Sequence, residues 1–142
     1  MKSRVLTEIL TALRLYGLEP SAVGIELTES GYLDTNTHFQ KLWDGLKKNG
    51  VLVILDDFGT GYSNFDRILS LKLDVVKFDR SLLLMADQDA NSRFMLDYFS
   101  TAFERLGYKV LYEGVETDAQ EELCIISHAD YLQGYKFSKP IP

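Results

Sequence analysis

Val51-Leu52-Val53-Ile54-Leu55-Asp56-Asp57 is an unbroken apolar run that stops on two carboxylates. A strand with no polar side to show to water belongs in a parallel sheet covered on both faces, and the two acids mark its end. Before it, Phe39, Leu42, Trp43 and Leu46 form a helical stripe closed by Gly50. Earlier still, Val23 to Glu29 reads as a short β-branched strand, and Val5, Leu6, Ile9, Leu10 and Leu13 as a helix ending at Gly17. After the run, Asn64 to Leu71 predicts a short helix and Asp74 to Asp79 a strand. A long helix from about Ala90 to Leu106 should bury Phe94, Met95, Tyr98, Phe99, Ala102 and Phe103, with Lys109 to Glu113 as the next strand. Thr117 and Gln120 have the spacing of a capping box, so a helix starts there and runs to about His128, before a final strand over Tyr131 to Tyr135. Strands alternating with helices in this way give an α/β domain built of βαβ units.

The chain has 142 residues, which suits one domain, and its 46% hydrophobic content excludes disorder. No apolar run approaches the roughly 18 to 20 residues of a membrane span. The net charge of −6 has the wrong sign for a protein that neutralises duplex nucleic acid. Cys124 is the single cysteine and permits no internal disulfide. Without an apolar signal-peptide core in the first twenty residues, this makes a cytoplasmic location the expectation. Length by itself favours an open doubly wound sheet, because a complete eight-stranded barrel takes about 250 residues.

Function is written at the strand ends. The successive strands close on Glu26 and Glu29, Asp56 and Asp57, Lys77 and Asp79, Glu113 and Glu116, and finally Gln133. In parallel α/β folds that edge carries the site. One acidic pair could be a solvated strand end, but packing does not explain carboxylates recurring at four ends. Two carboxylates about 4 Å apart repel by about 4 kcal/mol at an effective dielectric near 20, so converging acids need a cation or a proton. An oxygen-rich set suits Mg²⁺ or Mn²⁺ rather than zinc. His38 and His128 are expected on helices away from this edge, and Cys124 in the core. Lys77, between Val76 and Phe78, points inward among the acids, where it could orient a water or meet a phosphate oxygen.

Taken in order, Glu26-Leu27-Thr28-Glu29, Asp56-Asp57-Phe58-Gly59-Thr60-Gly61-Tyr62-Ser63, Lys77-Phe78-Asp79, Glu113-Gly114-Val115-Glu116-Thr117 and Gln133-Gly134-Tyr135 through Pro140 resemble the successive motifs of the EAL domain, a bacterial cyclic di-GMP phosphodiesterase family. The resemblance implies a (β/α)₈ TIM-like barrel with one antiparallel strand, of which about five βα units are present, in place of the open sheet. It implies hydrolysis of cyclic di-GMP to linear pGpG at a two-metal site holding Mg²⁺ or Mn²⁺, in second-messenger signalling. Glu26 would ligate one cation, Asp56 bridge two, and Asp57 bind the second, with Glu113 approaching it. Lys77 would hold the attacking water, Asp79 support the centre, and Gln133 contact water at the floor of the site. Glu29 would tether the Asp57 to Ser63 loop, which lies near a homodimer interface in the family, and Glu116 would lie outside the ligand set. The resemblance also leaves room for sensory or GGDEF domains upstream in a longer parent.

The Glu-Ala-Leu signature and the following strand with its Asn ligand do not occur in residues 1 to 25. The expectation is therefore an EAL domain over residues 1–142 lacking its N-terminal segment, with five strands that cannot close a ring and a first metal left with Glu26 and Asp56. The strand of Glu26 would then be an open edge. Two readings stand side by side: a metal-dependent phosphodiesterase, and a catalytically silent EAL module that binds cyclic di-GMP or a protein partner. A purely structural barrel fragment is the third.

Overall fold

The computed structural model describes residues 4–28, 37–61 and 65–141; the side chains of residues 37, 38, 66 and 67, His38 among them, lie outside the description. The elements are α1 (Arg4–Leu15), a 3-10 turn (Pro20–Ala22), β1 (Gly24–Thr28), α2 (Thr37–Lys48), β2 (Leu52–Phe58), α3 (Phe65–Ser70), β3 (Val75–Phe78), α4 (Arg80–Gln88), α5 (Ala90–Arg105), β4 (Lys109–Tyr112), α6 (Asp118–Ile126) and β5 (Tyr131–Leu132).

All five strands are parallel, and their order across the sheet is their order along the chain. A doubly wound sheet would reverse that order at a switch point. Where it never reverses, right-handed crossovers return every helix to the same face, and the sheet becomes an arc of a barrel. The open-sheet preference drawn from length is thus overturned by topology, and the partial α/β barrel stands.

The helix-covered face is the core. Val53, Leu55, Phe58, Val76, Phe78, Val110 and Tyr112 are buried there. Between ring centroids, Phe58 meets Phe78 at 5.2 Å with the rings tilted and Phe103 of α5 at 5.0 Å edge-on, the latter an arrangement that the ring quadrupoles favour. Alternation along β3 then sends Val75 and Lys77 to the opposite face, the inner side of the arc.

Four details differ from the sequence expectations. Strand β2 does not stop at Asp56 but continues to Phe58, because its ladder to β3 resumes at Phe58↔Phe78 after an irregularity. Helix α4 was not foreseen; Asp79 caps it by accepting from the Ser81 amide at 2.8 Å. On α5, Phe94, Met95 and Tyr98 are exposed, and the buried stripe is Leu96, Ser100 and Phe103. Both stripes obey helical spacing and converge near Phe99 and Phe103, so periodicity could not choose between them. Finally, β5 is only two residues long, and the chain turns away at Gly134, whose position would put a Cβ 2.1 Å from the Val115 carbonyl oxygen. The Thr117–Gln120 capping box is present, and Cys124 is buried, whereas His128 lies just past α6 with a positive φ of 60°.

Phe58→Ala should cost about 3–5 kcal/mol in chemical denaturation, the range for truncating a buried aromatic. Phe94→Ala should change stability by less than about 0.5 kcal/mol in dilute solution, as at an ordinary surface position. Comparable losses for the two would place the core on the wrong stripe of α5.

Candidate metal centre

The inner face of the arc gathers side chains from four neighbouring strands and their ends: Glu26 from β1, Asp56 from β2, Lys77 from β3 and Glu113 just after β4. The Lys77 side chain is 8% exposed. Its Nζ donates to Glu26 Oε1 at 3.0 Å and lies 2.8 Å from Asp56 Oδ1 and 2.7 Å from Glu113 Oε1. Burial alone would lower the lysine's pKa, but contacts with Asp56, Glu113 and Glu26 outweigh it and hold the pKa above the ordinary value. Lys77 is therefore charged throughout the physiological range. It can donate hydrogen bonds, but it has no free lone pair with which to take a proton.

Asp57 reaches the same place by breaking the strand pattern. In regular extended chain, consecutive side chains point to opposite faces. Between Leu55 and Phe58, however, β2 carries one residue more than the facing stretch of β3, and Asp57 adopts a left-handed φ of 57°. One carboxylate oxygen each from Asp56, Asp57 and Glu113 consequently lies within 4.8 Å of the others. Desolvation and then the neighbouring Asp56 and Asp79 charges raise the Asp57 pKa, with Lys77 only partly offsetting them.

One ammonium thus faces three carboxylates, with Asp57 adjacent. Asp56 Oδ1 is buried and lies 2.8 Å from the Lys77 ammonium. Converging carboxylate oxygens that carry more negative charge than one ammonium offsets are what a hard cation with oxygen ligands would satisfy, so these residues fit such a divalent ion.

The remaining site residues are placed differently. Asp79 spends one oxygen on capping α4, although its charge still acts on Asp57. Gln133 follows β5, with its side chain exposed and its backbone bonded to Tyr112 and Val115. Glu29, and Tyr62 and Ser63 of the loop after β2, lie outside the described residues. Thr60 folds back on the Asp57 carbonyl through its amide at 3.2 Å and its hydroxyl at 2.9 Å. Glu116 pairs with Arg80, whose Nη2 is 2.8 Å from its Oε1. Sequence reasoning did not single out Arg80; its only signal is that it follows Lys77-Phe78-Asp79 directly.

The sequence model of the EAL domain matches residues 1–140. The chain belongs to the EAL domain family. It is 31% identical over 135 residues to the cyclic di-GMP phosphodiesterase PdeL of Escherichia coli, an alignment covering 95% of this chain and 37% of PdeL. With the cyclic di-GMP phosphodiesterase RocR of Pseudomonas aeruginosa it shares 31% over 141 residues, covering 99% of this chain and 36% of RocR. The chain thus spans little more than a third of these relatives. Among solved structures, the PaMucR phosphodiesterase in complex with c-di-GMP superimposes with a TM-score of 0.86 at 30% identity, covering 96% of this chain and 56% of that one. Klebsiella pneumoniae BlrP1 in its manganese/cy-diGMP complex gives 0.88 at 28%, covering 95% and 34%. Among the described residues of this EAL domain, no helix is long and apolar enough to cross a membrane.

Asp57→Asn keeps a residue that tolerates the left-handed conformation and removes the charge. Because the folded-state pKa is raised, the folded chain holds this proton more tightly than the unfolded chain. Ionisation therefore costs stability as pH rises above about 4. In thermal melts without divalent ions, Asp57→Asn should be more stable than the parent at pH 7, the gap closing as pH falls toward 4. Mn²⁺ should then raise the parent's midpoint more than the variant's; a variant that melts lower at pH 7 would remove the repulsion from this account.

Proposed function

We propose that this EAL domain belongs to a cytoplasmic phosphodiesterase that opens one phosphodiester of cyclic di-GMP to give linear pGpG, using Mg²⁺ or Mn²⁺. The observation that carries the reading is the convergence of Asp56, Asp57 and Glu113 beside the Lys77 ammonium in a member of this family. Glu26, Asp56, Asp57 and Glu113 would hold the cations. Divalent ions there supply electrophilic activation of the phosphoryl group and neutralise the charge that gathers on it. Lys77, permanently charged, orients a water or a phosphoryl oxygen by donation and is not the base. Gln133 contacts substrate or water from the end of β5, Asp79 supports the centre through its charge and its hold on α4, and Glu29 tethers the loop after β2.

A second reading, a module that binds cyclic di-GMP or a protein partner without cutting the nucleotide, has its own support. Glu26 lies outside the three-carboxylate group, so a first metal held by Glu26 and Asp56 would draw on fewer of the converging ligands than a second. Mn²⁺-dependent hydrolysis by the 142-residue chain, with products separated chromatographically and a chelator control, decides between them. Product pGpG that disappears with chelator supports the enzyme. Calorimetric binding without product supports the silent module, and neither signal would sink both readings. Asp56→Asn should reduce turnover by about 100-fold or more, since loss of even an outer metal partner costs about 10- to 100-fold.

Self-association beside the Asp57 to Ser63 loop belongs to the same proposal. Phe65 and Leu69 of α3 and Phe94, Met95 and Tyr98 of α5 are exposed, and Phe65 stacks on Phe99 at 6.0 Å, joining the two helices into one apolar face. Sedimentation should show a dimer that Tyr98→Lys converts to monomer; a parent that is monomeric at high concentration would refute this part. Sensory or GGDEF domains upstream in a longer protein complete the proposal.

A further inference from the structure

We infer that Arg80 is a positioning residue, a clamp that holds the Glu113 to Glu116 turn and so keeps the Glu113 carboxylate in the cluster. The inference rests on the reading of Glu113 as part of the metal centre. Glu113 is the member of the cluster that stands beyond the end of its strand, directly before a glycine: β4 ends at Tyr112, and Gly114 has a positive φ of 71°. Lys77 Nζ, 2.7 Å away, draws the Glu113 carboxylate in, while the like charges of Asp56 and Asp57 push it away. A turn that pivots on glycine has little stiffness of its own against such a force.

Arg80 supplies the restraint. It is the first residue of α4, immediately after the cap Asp79 and three residues after Lys77. Its aliphatic stem lies across Gly114 so closely that a Cβ there would stand 2.4 Å from Arg80 Cγ and 2.7 Å from Cβ and Cδ. Its guanidinium then reaches past the glycine to Glu116 Oε1 at 2.8 Å. On the other side the turn meets Gly134, which has no room for a Cβ beneath Val115. The backbone contributes at the turn's ends, through Glu113 N to Phe78 O at 3.1 Å and Glu116 N to Gln120 Oε1 at 2.9 Å, and at its middle through Val115 N to Gln133 O at 3.1 Å. Lys77 of β3 holds the near end of this turn through Glu113 at 2.7 Å, and Arg80 ties its far end, at Glu116, to the start of α4. Arg80 also neutralises Glu116, so the turn brings one surplus negative charge to the centre rather than two.

As a surface ion pair the contact would contribute little to global stability. Its effect should be local, which separates it from a merely structural role. In metal-free protein, Arg80→Ala should speed amide exchange at Val115 and Glu116 by about 10-fold while amides of β2 and β3 keep parental rates. Mn²⁺ affinity by calorimetry should fall by about 3- to 10-fold, the lower part of the range for lost outer partners of metal ligands. Arg80→Lys, which keeps the stem and one charged donor, should restore both. Parental exchange at Val115 and Glu116 in Arg80→Ala overturns the clamp, as does acceleration spread evenly over the sheet. Faster exchange with unchanged Mn²⁺ affinity overturns the link to Glu113. Should the parent chain bind no Mn²⁺, the metal reading fails separately, and the exchange rates alone uphold or overturn the hold on the turn.

Discussion

The Lys77 ammonium, buried among carboxylates from the strands on both sides of its own, is the constraint around which the inner face of the sheet is arranged. A lysine without those partners could not remain charged in such a place, and the carboxylates without the lysine would repel one another. Each requirement is met only if β1, β2, β3 and β4 lie side by side in that order, because the acids come from different strands. The cluster therefore depends on the sequential parallel topology as much as on residue identity. Buried ion pairs of this kind are weak evidence for stability, since desolvation consumes much of the Coulombic gain. Here their consequence is placement: acids fixed close together around the Lys77 ammonium, with more negative charge than it offsets.

Asp57 shows how far the chain departs from regular geometry to complete that arrangement. A left-handed aspartate in a strand is disfavoured, and its carboxylate meets further negative charge when it arrives. Local strain and repulsion of this kind collect at sites that bind something of opposite sign. Around it, the helix-covered face is packed by aromatic rings in mutual contact, which keeps the strands in register while their inner face carries the charge.

Much of the architecture was legible in the sequence, for identifiable reasons. The run Val51 to Leu55 allowed only a doubly covered strand, the glycines at 17, 50 and 107 ended helices where positive φ was needed, and Thr117 with Gln120 announced a helix start. Lys77 was legible as inward-facing because it interrupts a β3 that is otherwise wholly apolar. Helix α4 escaped notice because Arg80 to Gln88 is short and its start resembles a loop, and the buried stripe of α5 was misassigned because aromatic residues occupy both of its candidate faces. The role of Arg80 carried no local signal, since its partners Gly114 and Glu116 lie more than thirty residues away in sequence.

The sequence by itself determined the α/β class, the positions of most elements, the acidic strand ends and the family to which they belong. These depend on periodicity, on backbone preferences of single residues and on ordered motifs, all of which are local properties. Only the tertiary structure decided that the sheet curves as an arc rather than reversing, that Asp56 and Asp57 share one face, and that Lys77 stands between Glu26, Asp56 and Glu113. Those facts depend on strand order, on one extra residue in a ladder and on close approach between distant segments. They exist only once the chain has closed on itself.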